Sequence, residues 1–425
     1  MNDNIIVAID LGSSRLVAAA AKKKEDSETF QIIDLCEKPT PKNCIRRGVI
    51  CNIEKIANEV STLLKKLQTS INEKLGENII IKSFYYAVDG HSLRSENLSK
   101  NIIIKSVISA NTIKEIKKQI LNDLKNQNIV QELQTSEGLF DSAQLDDSEK
   151  ISILHKLVIN NYNLDGNEVS DVIGQKGDIL KVNYLVIKSK LNLQEKLNKL
   201  FEQIKNYSFQ KSTALLAMSK TYLNEEEKNN NCLLIDFGAN CTSCIAFEAG
   251  KLKDLFVIPF GSQSITSDIC NIYSLSEEKG EFFKMNLSIT SNDSWKAKTN
   301  EISISRKQIE NVVMGRLTEI FQLIKSKIGN IELNGGIVLT GGGSKLKCFA
   351  DLLQTKFLAE VRNISYNNFT ASEFAKPENA LVLALLYSGK QNCCEQKEIK
   401  PKEQKKKEKS FNNMWNKIEK MFNDD

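Results

Sequence analysis

The stretch Leu233-Leu-Ile-Asp-Phe-Gly-Ala-Asn-Cys-Thr-Ser-Cys-Ile-Ala-Phe247 is the most informative part of the sequence. An apolar run ends at Asp236, Gly238 follows two positions later, and a second apolar run begins after a short polar turn. The pattern predicts a strand, a tight turn and a second strand. A turn without a Cβ lets backbone N–H groups approach a phosphate closely, but an ordinary β-hairpin has the same pattern. This stretch alone leaves both interpretations open.

A second copy of the pattern opens the chain. The stretch Ile5–Ala19 reads IIVAIDLGSSRLVAA, with an apolar run that ends at Asp10 and a glycine at Gly12. The two aspartates are 226 positions apart, and an internal repeat at this separation indicates two related lobes that face each other.

Length and composition limit the classes of protein that remain. The 425 residues suffice for two or more domains, and 41% hydrophobic with 26% charged residues is typical of a soluble globular protein. The net charge of +5 is too mild to indicate nucleic acid as a partner. The start of the chain has no secretory signal and no apolar run reaches the ~18–20 residues of a membrane span, so we expect a cytosolic protein with reduced thiols.

The side-chain inventory argues against two kinds of site. Only His91 and His155 are present, which disfavours histidine-based metal or triad catalysis. Cys241 and Cys244 have the spacing of a metal-ligand pair, but the chain offers no suitable second pair. We therefore interpret them as structural cysteines, with a redox or metal role as the alternative.

A third motif completes a set that suits a nucleotide. The stretch 335–344 reads as a buried strand that opens into Gly341, Gly342 and Gly343. A nucleoside triphosphate between two lobes needs backbone donors from both sides, carboxylates that reach Mg²⁺ through its waters, and a slot free of side chains. Asp10 and Asp236 would supply the carboxylates. The two turns would be formed by Gly12, Ser13, Ser14 and Arg15 and by Gly238, Ala239, Asn240, Cys241 and Thr242.

The order of these motifs resembles that of the superfamily of actin, the heat-shock chaperone ATPases and the sugar kinases. The span from Ile5 to about Gly389 is similar to the FtsA family, the actin-like proteins of bacterial cell division. Segments 153–177 and 258–268 also resemble that family, and Glu281-x-x-Lys284 resembles a Glu/Lys pair that faces ribose and adenine there. The resemblance adds Gly261, Glu281, Lys284 and Lys345 to the candidate nucleotide-binding residues.

The resemblance implies an α/β fold of the actin-like bilobal type, with two duplicated lobes. The expected units are a first lobe (1–88 and 183–210), a small inserted subdomain (89–182), a second lobe (211–254 and 330–389), its small subdomain (255–329), a flexible linker (390–409) and an amphipathic helix (410–425). Within them, helical spacing predicts a helix over Ile53–Leu75, and an apolar run predicts a strand over Ile102–Ile108.

The same resemblance implies a function. The protein would bind ATP and Mg²⁺, polymerise at the cytoplasmic face of the cell membrane at the division site, anchor the tubulin-like FtsZ ring and recruit later division proteins through residues 89–182. Its partners would be FtsZ, itself, an anionic membrane surface and other division proteins.

Some residues depart from the family pattern. Asn240 and Cys241 replace the middle of the second turn, Ser243 stands where an acid is common, and Arg15 stands where lysine is common. An arginine is a planar fork rather than a compact charge, so the exchange is not neutral beside a phosphate. No general base can be named, and we expect the site to hold nucleotide better than it cleaves it, with at most weak ATPase activity.

The C-terminal tail has an amphipathic pattern. One predicted helical face carries only large apolar residues, namely Phe411, Met414, Trp415, Ile418, Met421 and Phe422. The tail is too short to span a bilayer and suits an interfacial helix, while docking on another subunit or on the protein body is the alternative. Two other classes also stay open: an ATPase or kinase enzyme of the same superfamily, and a bilobal pilus-assembly adaptor, which lacks such a tail.

Overall fold

The computed structural model describes residues 4–23, 29–126, 152–169, 171–287, 296–299, 302–347, 349–370 and 372–396. The strands in these ranges are β1 (Ile5–Leu11), β2 (Arg15–Lys23), β3 (Phe30–Pro39), β4 (Ile45–Arg46), β5 (Val49–Ile50), β6 (Ile79–Ile81), β7 (Ser83–Val88), β8 (Arg94–Ile103), β9 (Ser152–Leu164), β10 (Asn167–Val169), β11 (Ile179–Lys190), β12 (Ser208–Thr213), β13 (Cys232–Phe237), β14 (Thr242–Glu248), β15 (Lys251–Ile258), β16 (Lys296–Thr299), β17 (Ile302–Ser305), β18 (Ile337–Thr340), β19 (Val361–Asn363), β20 (Phe369–Thr370) and β21 (Cys394–Gln396).

The α-helices in the same ranges are α1 (Ile53–Leu75), α2 (Ala110–Asn126), α3 (Leu191–Gln203), α4 (Ala214–Tyr222), α5 (Glu225–Asn229), α6 (Ser262–Tyr273), α7 (Glu277–Met285), α8 (Arg306–Ile328), α9 (Phe349–Phe357) and α10 (Ala380–Ser388). Short 3₁₀ helices cover Gly342–Lys345, Ser372–Phe374 and Pro377–Asn379.

The first sheet contains the N-terminal repeat. Its strand order is β12-β7-β1-β2-β3-β20, in which β1 pairs antiparallel with β2 and parallel with β7. Helix α1 packs against β2 and β3, and α10 packs against β1 and β2. The small side chains of Ala18–Ala21 are fully buried on β2 within the same core cluster as both helices.

Helix α1 has the predicted bounds, Ile53–Leu75. The side chain of Asn52 accepts a hydrogen bond from the Lys55 N–H at its start, and Gly76 ends it in the left-handed conformation that glycine adopts at low cost. The apolar residues that gave the helical spacing form its buried face.

The second sheet repeats the arrangement. Its order is β10-β9-β11-β8-β15-β14-β13-β18-β19, in which β13 pairs antiparallel with β14 and parallel with β18. The predicted hairpin at 233–247 is therefore present, and β13 occupies the position that β1 has in the first sheet. Below it, the rings of Phe237 and Phe349 stack with centroids 4.2 Å apart.

Strands β8, β9, β10 and β11 form a four-stranded extension of the second sheet. Strands β10, β9, β11 and β8 lie side by side, and Arg94 of β8 pairs with Phe256 of β15. Helix α2 lies with them over a separate small core that includes Ile116, Ile120 and Val182.

The strand predicted at Ile102–Ile108 was misplaced. Strand β8 runs over Arg94–Ile103, and its ten residues pair antiparallel with β11. Its sequence, RSENLSKNII, is mostly polar, and one face of the strand is exposed to solvent. A prediction based on apolar runs therefore misses this strand. Beyond it, the Ile104 and Ile108 N–H groups bond to the carbonyls of Asp178 and Gln175.

The predicted linker begins later than residue 390. The Cys393 N–H donates to the Ile5 carbonyl at 2.8 Å, and the Lys82 N–H donates to the Cys393 carbonyl at 2.8 Å. Cys394–Gln396 then pair antiparallel with β6, and Cys393 and Cys394 are buried. Backbone hydrogen bonds hold this segment, which we call the strap (390–396), although its composition is polar. The rest of the predicted linker and the tail of residues 410–425 lie outside the described residues.

None of the helices in the described part of the chain combines the length and apolar character that crossing a bilayer requires.

Candidate functional site

A cavity of about 320 Å³ lies between the two sheets, where their central strands end. Residues at the ends of β1, β7, β13 and β18 line it. Strand ends of both repeats thus open onto one space, as expected if the repeats are related lobes that face each other.

The two turns that follow Asp10 and Asp236 form opposite walls of the cavity. In the second turn, the Gly238 N–H donates to the Cys241 carbonyl at 3.0 Å. The start of α6 supports the same turn, because the Ser262 and Gln263 N–H groups donate to the Gly238 and Ala239 carbonyls. In the first turn, the Thr40 hydroxyl donates to the Gly12 carbonyl at 2.7 Å.

Three aspartates line the cavity. Burial and the neighbouring Asp89 raise the pKa of Asp10 to about 7, although the Arg15 guanidinium opposes this shift. Burial raises the pKa of Asp236 to about 8, and Asp89 and Asp10 add to the shift. Burial also raises the pKa of Asp89, against hydrogen bonds from the Gly90 N–H and the Ser243 hydroxyl. Ionisation of one carboxyl group therefore opposes ionisation of its neighbours, because like charges close together and away from water repel.

Asp89 was not among the site residues predicted from the sequence. The signal was present, since Ser83–Val88 is an apolar strand that ends in Asp89-Gly90, as the two repeats end in Asp-x-Gly. Strand β7 lies next to β1 and parallel to it, so its end opens at the same edge of the sheet. The Ser243 hydroxyl of the opposite hairpin donates to Asp89 at 3.2 Å and links the two walls.

The triple glycine forms a slot beside the second turn. Gly341 has a φ of +88°, and a Cβ there would lie 2.3 Å from Oδ1 of Asp236, so a side chain is excluded. At Gly342 a Cβ would meet only the Glu378 Cβ, at 3.8 Å. A larger side chain at Gly342 is therefore compatible with the fold but would occupy the slot.

Glu281 and Lys284 lie on α7 and line the cavity. Their side chains form an ion pair of 2.7 Å, and the Thr266 hydroxyl donates to Glu281 at 2.6 Å. The Lys284 ammonium is almost fully buried and also donates to the Ser262 carbonyl at 3.2 Å. Hydrogen bonds to Thr266 and Ser262 therefore hold the pair in place before any ligand binds.

Most of the residues predicted for the site line this one cavity, namely Asp10, Gly12, Ser13, Ser14, Arg15, Asp236, Gly238, Ala239, Asn240, Cys241, Glu281, Lys284, Gly341, Gly342 and Gly343. Three predicted residues lie just outside the lining. The Thr242 hydroxyl donates to the Phe260 carbonyl, Gly261 packs under Ala239, and Lys345 pairs with the Glu378 carboxylate.

Arg15 was expected beside a phosphate, but its guanidinium has other partners. It bonds to the carboxylate of Glu37, to the carbonyl of Glu378 and to Oδ1 of Asn379, the last at 2.6 Å. The physical reason is the position of Arg15 at the start of β2, next to β3 and to the 3₁₀ helix Pro377–Asn379. Neither Glu37 nor Asn379 is close to Arg15 in sequence, so no local pattern reveals these contacts.

The cysteines beside the site have the character of structural residues. Burial raises the pKa of the Cys241 thiol, with Asp89 adding to the shift, and burial raises that of Cys244 well above its usual value. A thiol must ionise to ligate a metal or attack a substrate, and these shifts oppose ionisation.

The described residues contain no group of three or more His, Cys, Asp or Glu side chains placed to hold a metal ion directly. The carboxylates of Asp10, Asp89 and Asp236 nevertheless face one cavity. Mg²⁺ fits such a donor set, because it keeps several waters and takes only one or two protein carboxylates.

Comparison with known proteins agrees with this architecture. Residues 233–384 match the family described as cell division protein FtsA. The chain is 24% identical over 378 residues to cell division protein FtsA of Porphyromonas gingivalis, an alignment that covers 84% of this chain and 72% of that protein. It is 21% identical over 382 residues to cell division protein FtsA of Bacillus subtilis, with 86% and 80% covered. Among solved structures, the PilM-PilN type IV pilus biogenesis complex contains a chain with a TM-score of 0.60 and 15% identity, with 90% of this chain and 97% of that chain covered.

The fold is therefore that of the bilobal actin-like proteins, as the sequence predicted. The matched segment and these relatives carry the name of the FtsA family of bacterial cell-division proteins, in agreement with the resemblance seen in the motifs.

The three carboxylates predict an unusual dependence of stability on pH. Each holds its proton in the folded state at a pH at which the unfolded chain has released it, so the free energy of unfolding falls as pH rises from about 4 to about 8. One such group contributes a slope of at most about 1.4 kcal/mol per pH unit. Asp236→Asn should flatten the slope and stabilise the protein at pH 8, measured by urea unfolding at several pH values without nucleotide.

The control is Asp178→Asn, which changes an exposed carboxylate away from the cavity and should leave the slope unchanged. A steeper loss of stability at pH 8 in Asp236→Asn than in the unmodified protein would contradict the prediction.

Proposed function

We propose that the protein binds Mg²⁺–ATP between its two sheets and, in that state, polymerises at the cytoplasmic face of the cell membrane. There it would anchor the tubulin-like FtsZ ring and recruit later division proteins. The observation that carries the nucleotide part is the meeting of three strand-end carboxylates and a glycine slot around one cavity.

The nucleotide would lie across both walls of the cavity. The two turns offer small residues and backbone amides on either side of a triphosphate. The adenosine part of the nucleotide would lie in the glycine slot, in the same cavity as Glu281 and Lys284. Carboxylates and phosphates repel one another, so binding needs a cation between them, and Mg²⁺ would neutralise that charge.

Nucleotide would act as a regulator rather than as a substrate consumed rapidly. A fast ATPase places a free carboxylate or amide where it can orient the attacking water. The Ser243 hydroxyl is already committed to Asp89, and Cys241 is a protonated thiol. Bound nucleotide would instead bias the lobes toward a closed arrangement that polymerises.

Contacts with other proteins are proposed for the four-stranded extension. Four large hydrophobic side chains are exposed on it: Ile103, Val107, Ile173 and Ile179. Ile103 is 76% exposed and lies opposite Ile179, which is 51% exposed, in neighbouring strands. Ile103 and Ile179 thus form an exposed apolar pair, and we take this pair as the centre of the contact site.

Membrane attachment is proposed for the tail of residues 410–425. The amphipathic pattern of Phe411–Phe422 suits an interfacial helix, and its attachment would be weak for one copy and strong for a polymer that carries many. A pilus-assembly adaptor lacks such a tail, so the tail separates the proposal from that alternative, while a fast turnover of ATP would favour an enzyme.

The nucleotide proposal predicts that Gly342→Val weakens binding. The valine fits the fold but fills the slot, so the affinity for a fluorescent ATP analogue in Mg²⁺ should fall at least about tenfold, which corresponds to ~1.4 kcal/mol. Removal of Mg²⁺ with EDTA should have a comparable effect on the unmodified protein.

The matched control is Gly315→Val, on α8, where a Cβ meets nothing within 4 Å. If Gly342→Val binds as tightly as this control, the nucleotide does not occupy the slot.

The tail proposal predicts that Trp415→Glu abolishes cosedimentation of the protein with anionic vesicles, because a charge enters the apolar face. Asn416→Glu adds the same charge to the opposite face and should retain most of the binding. Equal binding by the two variants, or binding that survives deletion of residues 410–425, would assign the tail to docking on protein.

The surface on the extension predicts that Ile103→Lys weakens assembly. In Mg²⁺–ATP, the fraction of protein that sediments as polymer should fall several-fold, while nucleotide affinity stays unchanged. Asn101→Lys places the same charge two residues away on the same strand and serves as the control. Normal polymer with Ile103→Lys would show that copies of the chain do not meet there.

A further inference from the structure

The Arg15 side chain joins the first sheet to a segment that is distant in sequence. It lies at the start of β2 and bonds to Glu37 on β3, which belongs to the same sheet. Its other nitrogen, Nη2, donates to the carbonyl of Glu378 and to Oδ1 of Asn379. The last two acceptors lie in the 3₁₀ helix Pro377–Asn379, more than 360 positions away.

The segment Pro377–Asn379 is also bonded to the second sheet. The Thr340 hydroxyl and the Gly341 N–H, at the end of β18, donate to the Pro377 carbonyl at 3.1 and 3.3 Å. Lys345 pairs with the carboxylate of Glu378. Directly after this segment, α10 begins and packs against β1 and β2 of the first sheet. The chain has already joined the first sheet at β20, but Pro377–Asn379 is hydrogen-bonded across to the second sheet as well as to Arg15. We call Pro377–Asn379 and the residues that follow it at the start of α10 the crossing segment, because its contacts join the two lobes.

The crossing segment also forms part of the cavity wall. Pro377, Glu378, Ala380 and Leu381 all line the cavity, close to the glycine slot. A shift of this segment would change the distance between the slot and the turn after Asp10, and so the space available to any nucleotide.

We propose that Arg15 is a positioning residue that clasps the crossing segment and so sets the separation of the two lobes around the nucleotide, rather than a ligand of the phosphates. The inference rests on the proposed nucleotide site and refines it. The guanidinium suits this role because its two terminal nitrogens reach acceptors on two segments, whereas lysine would have to bring all three acceptors to a single nitrogen.

The clasp and a phosphate contact have different consequences when Arg15 is changed. A phosphate contact acts on the charge of the ligand, so weakening it in Arg15→Lys would weaken ATP, which carries one more phosphate, more than ADP. A clasp depends on fork geometry, so Arg15→Lys would break it and would weaken both nucleotides by the same factor.

The test measures binding of ATP and ADP in Mg²⁺ by displacement of a fluorescent analogue from Arg15→Lys, Asn379→Leu and the double variant. We expect each variant to weaken both nucleotides by about tenfold, with no further loss in the double variant, since all three remove the same charged hydrogen bond. Arg46→Lys is the control, because the Arg46 guanidinium bonds to Asn43 within the first lobe.

A second readout needs no nucleotide. In Arg15→Lys and Asn379→Leu, amide hydrogen exchange should accelerate in the peptide that covers residues 377–388, and it should not change in Arg46→Lys. Unmodified protein that binds neither nucleotide would refute the proposed function, while the exchange rates would still test the clasp. The clasp is overturned if Arg15→Lys keeps full ATP affinity with unchanged exchange, or if ATP binding weakens far more than ADP binding.

Discussion

The architecture depends on the concentration of three carboxylates at one end of two sheets. Asp10, Asp89 and Asp236 each end a buried strand, and burial raises the pKa of all three. Ionising buried carboxylates that lie close together costs free energy unless a cation binds between them. A ligand that brings a divalent cation removes this cost on both lobes at once. Closure of the lobes around such a ligand is the expected response.

The repeat could be predicted from the sequence because its signal is local. Apolar runs that end in Asp-x-Gly specify a hairpin and a turn without help from the rest of the chain, and helix α1 shows its core face through spacing alone. The site residues of the two turns and of the slot followed from the same signals. Asp89 carries a related signal, an apolar strand followed by Asp-Gly, but this signal is not part of the repeat and also occurs at Asp165-Gly166, away from the cavity.

The features that the sequence did not reveal depend on partners far away in the chain. Strand β8 is polar and is held by ten backbone pairs to β11, and the strap is polar and is held by β6 and Ile5. Backbone hydrogen bonds form whatever the side chains are, so the amino-acid composition of a segment does not predict them. The contacts of Arg15 are a further case, because Glu378 and Asn379 lie more than 360 positions away in the chain and adjoin Arg15 only in the folded protein.

The strap also determines where any tether to a membrane leaves the molecule. Thirteen residues lie between Gln396 and Ser410, and a fully extended chain of that length spans at most about 45 Å. The described part of the chain ends beside β6 and near the start of β1, away from the strand ends that open onto the cavity. If the tail binds a bilayer, the first lobe is held within roughly one protein diameter of the lipid surface. Every copy in a polymer would then have to turn that side toward the membrane. This requirement limits how far neighbouring copies can be rotated relative to one another about the axis of the polymer.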